Sequence, residues 1–186
     1  MSAEQVLDFW FGPPPLVVRR EWFVKDPVFD EAIRQRLGAL VDAALVGPLG
    51  WGPEPVARLA ELIVLDQFPR NLFRGQARAF AGDGRALALA LALIDDGTHR
   101  ALHPLQRWFA YLPLEHAEDL ALQDRCVALF EVLAAEDASM ANALDYARRH
   151  RDVIARFSRF PHRNSVLGRS STPDEVAYLA QPGSGF

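Results

Sequence analysis

Three short segments of the chain combine carboxylates, histidines and arginines at spacings that could form one polar site. The candidate site residues are Asp66, Arg70 and Asn71, then Glu115, His116 and Asp119, then His162, Arg163 and Asn164. The planar guanidinium group of an arginine binds a carboxylate or phosphate through two parallel hydrogen bonds. A carboxylate or an imidazole can instead transfer a proton to or from a bound substrate. These residue types therefore indicate either an anion-binding pocket or acid–base chemistry.

Two of the three segments share one short pattern. Residues 68–71 read Phe-Pro-Arg-Asn, and residues 160–164 read Phe-Pro-His-Arg-Asn. We expect a helix to end at each Phe-Pro pair, because proline lacks a backbone N–H and disfavours a helical conformation in the residue before it. Two such helix ends could direct Arg70 and Arg163 at one anion. Alternatively, each could be a simple helix stop, with Asn71 as a cap and Arg70 bracing Asp66.

A charge pattern predicts which later segments meet. A helix predicted over residues 114–137 carries seven acidic residues and one arginine, whereas residues 146–169 carry seven arginines and one acid. The next helix is expected to begin at a Ser139 cap and to reach Phe160. A turn at residues 138–139 would fold the two helices into an antiparallel hairpin with paired opposite charges.

This hairpin would bring the candidate residues of two segments together. Glu115 and His116 are expected near residues 161–163, and Asp119 near Phe157. Glu115 and Asp119 lie one helical turn apart, so they are expected on one face of the helix. The alternative is that these charges only hold the hairpin together, since ion-pair networks resemble functional sites.

Hydrophobic residues recur at steps of three and four nearly everywhere, which predicts an all-α fold with no sheet and about eight helices. Helix starts are indicated by Ser2 with Gln5, by Asp26, by Pro55, and by Thr172 with Glu175. The predicted helices cover residues 2–11, 27–46, 55–68, 84–96, 104–112, 114–137, 139–160 and a short stretch after 172. Short connections favour antiparallel helical hairpins.

Composition limits the class of protein. The 186 residues include 24 acidic and 20 basic ones, for a formal net charge of −4, and they fit a single domain over 1–186 with no general attraction for nucleic acid. The most apolar stretch, residues 86–94, is too short to cross a bilayer, and the first helix lacks the features of a signal peptide. We therefore expect a cytoplasmic protein with no membrane or nucleic-acid partner.

The sequence gives less support to a metal site or a cofactor than to the polar site. Glu115, His116, Glu118, His150 and His162 could supply metal ligands. However, adjacent residues such as Glu115 and His116 point to different faces of a helix, and nearby arginines would compete for the carboxylates. The single cysteine lies in the middle of a predicted helix, and no phosphate-loop or dinucleotide motif occurs. The sequence therefore predicts no metal and no cofactor.

The candidate segments also resemble a known family. Residues 65–71, 111–119 and 160–164, with the opening 6–12 and the closing 172–175, are similar to the bacterial family designated domain of unknown function 924 (DUF924). The resemblance spans nearly the whole chain. It implies an all-α fold in which helical hairpins stack as in tetratricopeptide-repeat proteins, and it implies no established activity. Leu114 stands where the family often has phenylalanine, and Ala117 where serine is common.

Three classes of function follow from these observations. The leading hypothesis is a binding module whose polar pocket takes a small anionic ligand or a peptide carboxylate, chiefly through Arg70 and Arg163. The second is an enzyme that uses Glu115 or His116 as a general acid or base. The third is a structural or self-associating protein, such as a homo-oligomer, in which the charged residues only lock helices together.

Overall fold

Helices account for the regular structure of residues 1–185, which are the residues that the computed structural model describes. No strand occurs within that range, so the predicted all-α class is confirmed. The helices are α1 Ala3–Phe11, α2 Pro27–Val46, α3 Pro55–Asp66, α4 Phe68–Leu72, α5 Asp83–Asp95, α6 Pro104–Glu115, α7 Leu120–Glu136, α8 Ala141–Phe157 and α9 Pro173–Leu179. Stacking of the tetratricopeptide-repeat type stays a prediction.

The chain divides into two compact units. The first, here called the N-terminal unit, comprises Met1–Arg74 and Arg78–Pro113, and the second, the C-terminal unit, comprises Gly75–Ala77 and Leu114–Phe186. The organisation of residues 1–186 as a single domain stays a prediction.

Several helix starts follow the local rules read from the sequence. Ser2 and Gln5 form a reciprocal capping box at α1, and Thr172 and Glu175 form another at α9. The side chain of Asp26 accepts hydrogen bonds from two backbone N–H groups at the start of α2. Each cap supplies a partner to donors that have none within the helix.

The core of the N-terminal unit surrounds α3, which packs against α1, α2 and α5. Every residue from Leu59 to Pro69 is buried, so α3 is enclosed on all its faces from Leu59 to its end. Aromatic rings fill the space beside α1, where the Trp10 ring meets the edges of Phe68 and Phe109. Burial of such rings is the largest source of stabilisation in a core of this size.

The predicted helix over residues 55–68 is divided. Helix α3 ends at Asp66, and after Gln67 the short helix α4 begins at Phe68, with Pro69 in its first turn. The expectation that a helix ends at Phe68-Pro69 was therefore wrong. Proline fits the first turn of a helix because the N–H groups there have no helical partner.

Gly82 marks a close approach beside this junction. Because Pro69 lacks an N–H, the carbonyl of Leu65, four residues earlier, has no helical donor there. The backbone of Gly82 packs against that carbonyl so closely that a β-carbon at position 82 would overlap the Leu65 oxygen. Position 82 thus requires glycine because a β-carbon has no room there, and not because of the backbone angles.

The predicted helix over residues 114–137 was also wrong at its start. Helix α6 continues through Pro113 to Glu115, and α7 begins only at Leu120, with Asp119 as its N-cap. The amide of Gln123 donates to the carbonyls of Leu114, Glu115 and Ala117 at distances of 3.3, 2.6 and 2.8 Å, which fixes the end of α6. Glu115 and Asp119 therefore do not share one helix face.

Helices α7 and α8 form the predicted antiparallel hairpin. Arg148 pairs with Glu131, and Arg151 pairs with Asp124, both at 2.8 Å. The expected bounds of the second helix were wrong, because Ser139 lies in a 3₁₀ turn, Ala138–Met140, before α8 begins. Helix α8 ends at Phe157, where Ser158 adopts a left-handed conformation with a φ of 58°.

Within residues 1–185, each helix is either too short or too polar to pass through a lipid bilayer.

Candidate functional site

In the N-terminal unit, Arg70 is held by two carboxylates. Its guanidinium nitrogens contact both oxygens of Asp83 at 2.9 and 3.1 Å, and Nη1 lies 3.2 Å from Oδ1 of the fully buried Asp66. Burial opposes the charge on Arg70, but Asp66 and Asp83 outweigh it and hold the pKa of the guanidinium above its ordinary value. Arg70 thus joins α3, α4 and α5.

Asn71 also connects helices within this unit. Its amide Nδ2 donates to Oδ1 of Asp30 on α2 at 2.7 Å, and Arg74 pairs with the same carboxylate at 2.9 Å. Asn71 lies inside α4, so the interpretation of this residue as a helix cap was wrong. The structure therefore gives Asp66, Arg70 and Asn71 a bracing role around α4.

In the C-terminal unit, the structure brings four of the predicted residues together with one histidine from α8. We call this group the histidine cluster. Its members are Glu115, His116, His150, His162 and Arg163. The sequence indicates His150 only as one of the residues that could supply a metal ligand. The missed signal is its place on the buried stripe of α8, which also includes Ala143, Ala147, Val153 and Ile154.

Aromatic and charged contacts link the members of the histidine cluster. The rings of His116 and His150 are 6.5 Å apart, and the Phe160 ring lies 5.6 Å from both His150 and His162. The guanidinium of Arg163 stacks 4.4 Å from the Phe160 ring centre, and its Nη1 donates to the His116 carbonyl at 3.1 Å. The apolar ring of Phe160 thus contacts the imidazoles of His150 and His162 and the guanidinium of Arg163.

The geometry around His150 fixes where its ring proton lies. Nδ1 is 2.9 Å from the carbonyl oxygen of Tyr146 and 3.2 Å from Oε1 of Glu115. Both neighbours are acceptors, so the neutral ring carries its proton on Nδ1 and keeps a lone pair on Nε2. Burial lowers the pKa of His150 to about 3, although the Tyr146 carbonyl opposes that shift, and the neighbouring His116, Arg163 and His162 add to it.

His162 has a similar electrostatic setting nearer the surface. Burial lowers the pKa of His162 to about 4, and the adjacent Arg163 guanidinium adds to that shift. Glu118 opposes the shift, but Arg169 binds both oxygens of that carboxylate at 2.6 and 2.9 Å. Without a bound ligand, the cluster therefore disfavours a further positive charge.

Asp119 and Asn164 both make hydrogen bonds within the C-terminal unit. The Asp119 side chain caps α7 by accepting from the Leu122 N–H at 3.0 Å. The Asn164 amide donates to Ser171 and to the buried carboxylate of Glu175, at 3.0 and 3.2 Å. Arg159 also pairs with Glu175 at 2.6 Å, so these contacts fasten α9 to the turn that contains Arg163.

Two open grooves also lie in the C-terminal unit, along the end of α8 and beside α9. Their volumes are about 270 and 400 Å³, and both are lined by Arg156 and Phe157. None of the nine predicted site residues lines either groove, so neither is the predicted polar pocket. Within residues 1–185, no group of three or more histidine, cysteine or acidic side chains is arranged to hold a metal ion.

Comparisons with known proteins agree with the resemblance noted from the sequence. A profile of the family described as "Bacterial protein of unknown function (DUF924)" matches residues 6–183. A solved structure of a protein of unknown function, ATU0120 from Agrobacterium tumefaciens, is 37% identical, with 96% of each chain covered and a TM-score of 0.79. No curated protein matches significantly. This chain therefore belongs to the bacterial family of unknown function DUF924.

Proposed function

We propose that this chain is a binding protein for a small anionic ligand, such as a carboxylate or the carboxylate end of a peptide, and that the histidine cluster takes up that anion. The observation that carries the proposal is the gathering of three imidazoles and the buried Arg163 guanidinium in one place. Imidazole and guanidinium N–H groups donate strong hydrogen bonds to anions, and they do so best where water is scarce.

Charge balance within the cluster supports this ligand class. Burial lowers the pKa of both His150 and His162, and neighbouring groups such as Arg163 add to the shift, so both imidazoles are neutral near pH 7. An incoming anion would offset the positive charge of Arg163 and would therefore be bound more tightly than at an exposed arginine. A cationic ligand would face the opposite effect.

Anion capture is assigned to Arg163 and not to Arg70. Arg163 lies against the Phe160 ring among the imidazoles of the histidine cluster, whereas Arg70 contacts Asp66 and Asp83 in the N-terminal unit. The remaining predicted residues of the N-terminal unit, Asp66 and Asn71, then serve to position α4. This assignment narrows the ligand-binding residues to the C-terminal unit.

Calorimetric titration of the full chain tests the proposal. The probes are sodium acetate, sodium succinate and sodium sulfate, at concentrations up to about 10 mM. This is ten times the dissociation constant that corresponds to ~4 kcal/mol of binding free energy. We expect Arg163→Gln to weaken binding by about tenfold or more, because a buried charged donor is lost. Arg148→Gln is the matched control, since Arg148 makes an exposed pair with Glu131.

Arg163→Lys provides a second variant, because loss of the buried guanidinium can unfold the chain. Lysine keeps the charge but lacks the planar fork, so we expect an affinity intermediate between those of Arg163→Gln and the parent chain. The absence of binding heat with all three probes would disprove the proposal. Parental affinity in both Arg163 variants would disprove it as well.

The Glu115–His150 pair favours a second candidate, an enzyme with His150 as general base. Glu115 positions the ring by accepting from Nδ1, so Nε2 is the nitrogen that would accept a proton. The predicted base His116 would then only contact this pair. Hydrolysis of p-nitrophenyl acetate tests this candidate: His150→Asn should slow it by about a hundredfold. An equal rate in the parent and variant chains would rule the candidate out.

A further inference from the structure

Arg156, in the last turn of α8, differs from four other arginines of the C-terminal unit. Each of those four pairs with a carboxylate at 2.6 or 2.8 Å: Arg148 with Glu131, Arg149 with Asp145, Arg151 with Asp124, and Arg159 with Glu175. Arg156 makes neither an ion pair nor a hydrogen bond within residues 1–185. Its guanidinium lies instead over the Phe157 ring, 4.6 Å from the ring centre.

The stack on Phe157 leaves the hydrogen-bonding edge of Arg156 available. All the N–H donors of a guanidinium lie in its plane, so a group that lies on an aromatic face keeps them for another partner. A cation in the last turn of a helix also offsets the partial negative charge of that helix end. If this were the whole role of Arg156, the residue would show no preference for the shape of a ligand.

Arg156 lines both grooves of the C-terminal unit, but the charges around the two grooves differ. The charged residues of the smaller groove, of about 270 Å³, are Arg149, Asp152 and Arg156, which leaves one positive charge in excess. Those of the larger groove, of about 400 Å³, are Arg156, Arg159, Asp174 and Glu175, which balance. The Asp152 side chain is 75% exposed and lies 3.5 Å from Arg151. An anion is therefore favoured in the smaller groove, which we call the arginine groove.

One wall of the arginine groove is apolar. Val153, Phe157 and Tyr178 form this wall, and the rings of Phe157 and Tyr178 are 5.1 Å apart. Both rings pack against the buried cluster of Val153, Ile154 and Phe160, so the wall is anchored in the core of the unit. A concave site with an apolar wall and a few charged groups is typical of small-molecule binding.

We propose that the arginine groove is a second ligand site and takes a small carboxylate with an apolar body, of the class of aryl-substituted acetates. The carboxylate accepts from the N–H groups of Arg156, and the apolar body packs against Val153, Phe157 and Tyr178. The residues that line this groove include no member of the histidine cluster, so the inference goes beyond the proposed function.

Both parts of the ligand are needed for measurable affinity. Arg156 is exposed, and a single ion pair at an exposed arginine contributes little because water and salt screen it. Burial of an aromatic ring against the apolar wall adds about tenfold or more to the affinity. Acetate, which lacks the ring, and 2-phenylethanol, which lacks the charge, should therefore each bind more weakly than phenylacetate.

NMR titration of the full chain at pH 7.5 tests this inference, with sodium phenylacetate, sodium acetate and 2-phenylethanol as probes up to about 20 mM. Phenylacetate should shift the backbone amide signals of Val153, Phe157 and Tyr178, and its affinity should exceed that of each other probe at least about fivefold. Arg156→Gln should weaken phenylacetate binding about fivefold. Arg148→Gln is the matched control on the same helix and should leave that binding unchanged.

The position of the ligand is measured independently by nuclear Overhauser contacts between the ring protons of phenylacetate and those of Phe157 or Tyr178. Equal phenylacetate affinity in the parent chain and Arg156→Gln would overturn the inference. Equal binding of 2-phenylethanol would overturn it as well, because the charge would then play no part. If phenylacetate shifts only signals of the histidine cluster, the arginine groove is not a ligand site and the proposed function stands.

Discussion

Nδ1 of His150 lies 3.2 Å from Oε1 of Glu115, and the two side chains are only 6% and 5% exposed. The contact joins the end of α6 to the middle of α8 inside the C-terminal unit. A buried histidine with a pKa of about 3 is neutral throughout the physiological range, so this contact is a hydrogen bond from a neutral ring. It links the protonation of the chain to its folding.

The stability of the fold should fall as the solution is acidified from pH 6.5 to 5. Unfolding returns the pKa of His150 from about 3 to near 6.5, so the unfolded chain binds more protons across this window. His150 alone should lower the free energy of unfolding by about 2 kcal/mol at pH 5 relative to pH 7, since one pKa unit corresponds to ~1.4 kcal/mol. Urea unfolding at several pH values measures this slope.

His150→Asn isolates this contribution. The asparagine amide can still donate towards Glu115 and the Tyr146 carbonyl, but it cannot titrate. We expect the variant to retain a shallower slope, which comes from His162 and from the buried His99, whose pKa is also lowered by burial. Ordinary carboxylates protonate below about pH 4.5 and do not interfere in this window. A slope identical to that of the parent chain would show that His150 is not the titrating group.

Gly82→Ala should destabilise the N-terminal unit by about 3 kcal/mol, because the new methyl group would overlap the Leu65 carbonyl and neither backbone can move freely. Gly84→Ala is the matched control. It lies two residues away in α5 with open space around it, and it should be neutral or stabilising by up to ~1 kcal/mol. Thermal unfolding of both variants compares them, and equal midpoints would contradict the close approach.

Asp119→Ala should cost about 1 kcal/mol through loss of the α7 cap, and Asp119→Asn should recover most of it. Because its carboxylate oxygen accepts from the Leu122 N–H, we expect neither variant to change sulfate affinity by more than about twofold. The measurements are urea unfolding and calorimetry on the same samples. An affinity loss equal to that of Arg163→Gln would return Asp119 to the ligand-binding residues.

Arg70→Gln should lower the free energy of unfolding by about 3 kcal/mol. It removes the cation beside the buried Asp66 carboxylate and the two guanidinium contacts of Asp83. Arg70→Lys should cost less. Arg148→Gln, in a pair that is half exposed on both sides, should cost under about 1 kcal/mol. If Arg70→Gln were as mild as Arg148→Gln, the bracing role of Arg70 would be wrong.

Features governed by neighbouring residues could be predicted from the sequence. The capping residues Ser2, Asp26 and Thr172 start helices where expected, because a cap depends on side chains only two or three positions away. The α7–α8 hairpin was predictable for a related reason. Opposite charges on two consecutive helices leave few alternative registers, and the Arg151–Asp124 pair has the predicted one.

Features that depend on distant contacts were not predictable. The sequence predicts a helix boundary at Pro113, whereas α6 continues past it. The Gln123 amide fixes the end of that helix from eight or nine residues away. The role of Arg70 depends on Asp83, thirteen residues later, and no periodic pattern indicates that contact. The expectation that Arg70 and Arg163 bind one ligand stays a prediction.

The enclosure of α3 has an evolutionary consequence. From Leu59 to its end at Asp66, every residue of this helix is buried, so this part offers no side on which substitutions are silent. Any enlargement or truncation there requires a compensating change in a neighbouring helix. We expect relatives of this chain to diverge mainly along the outward face of α2, while α3 changes slowly and only in concert with the helices around it.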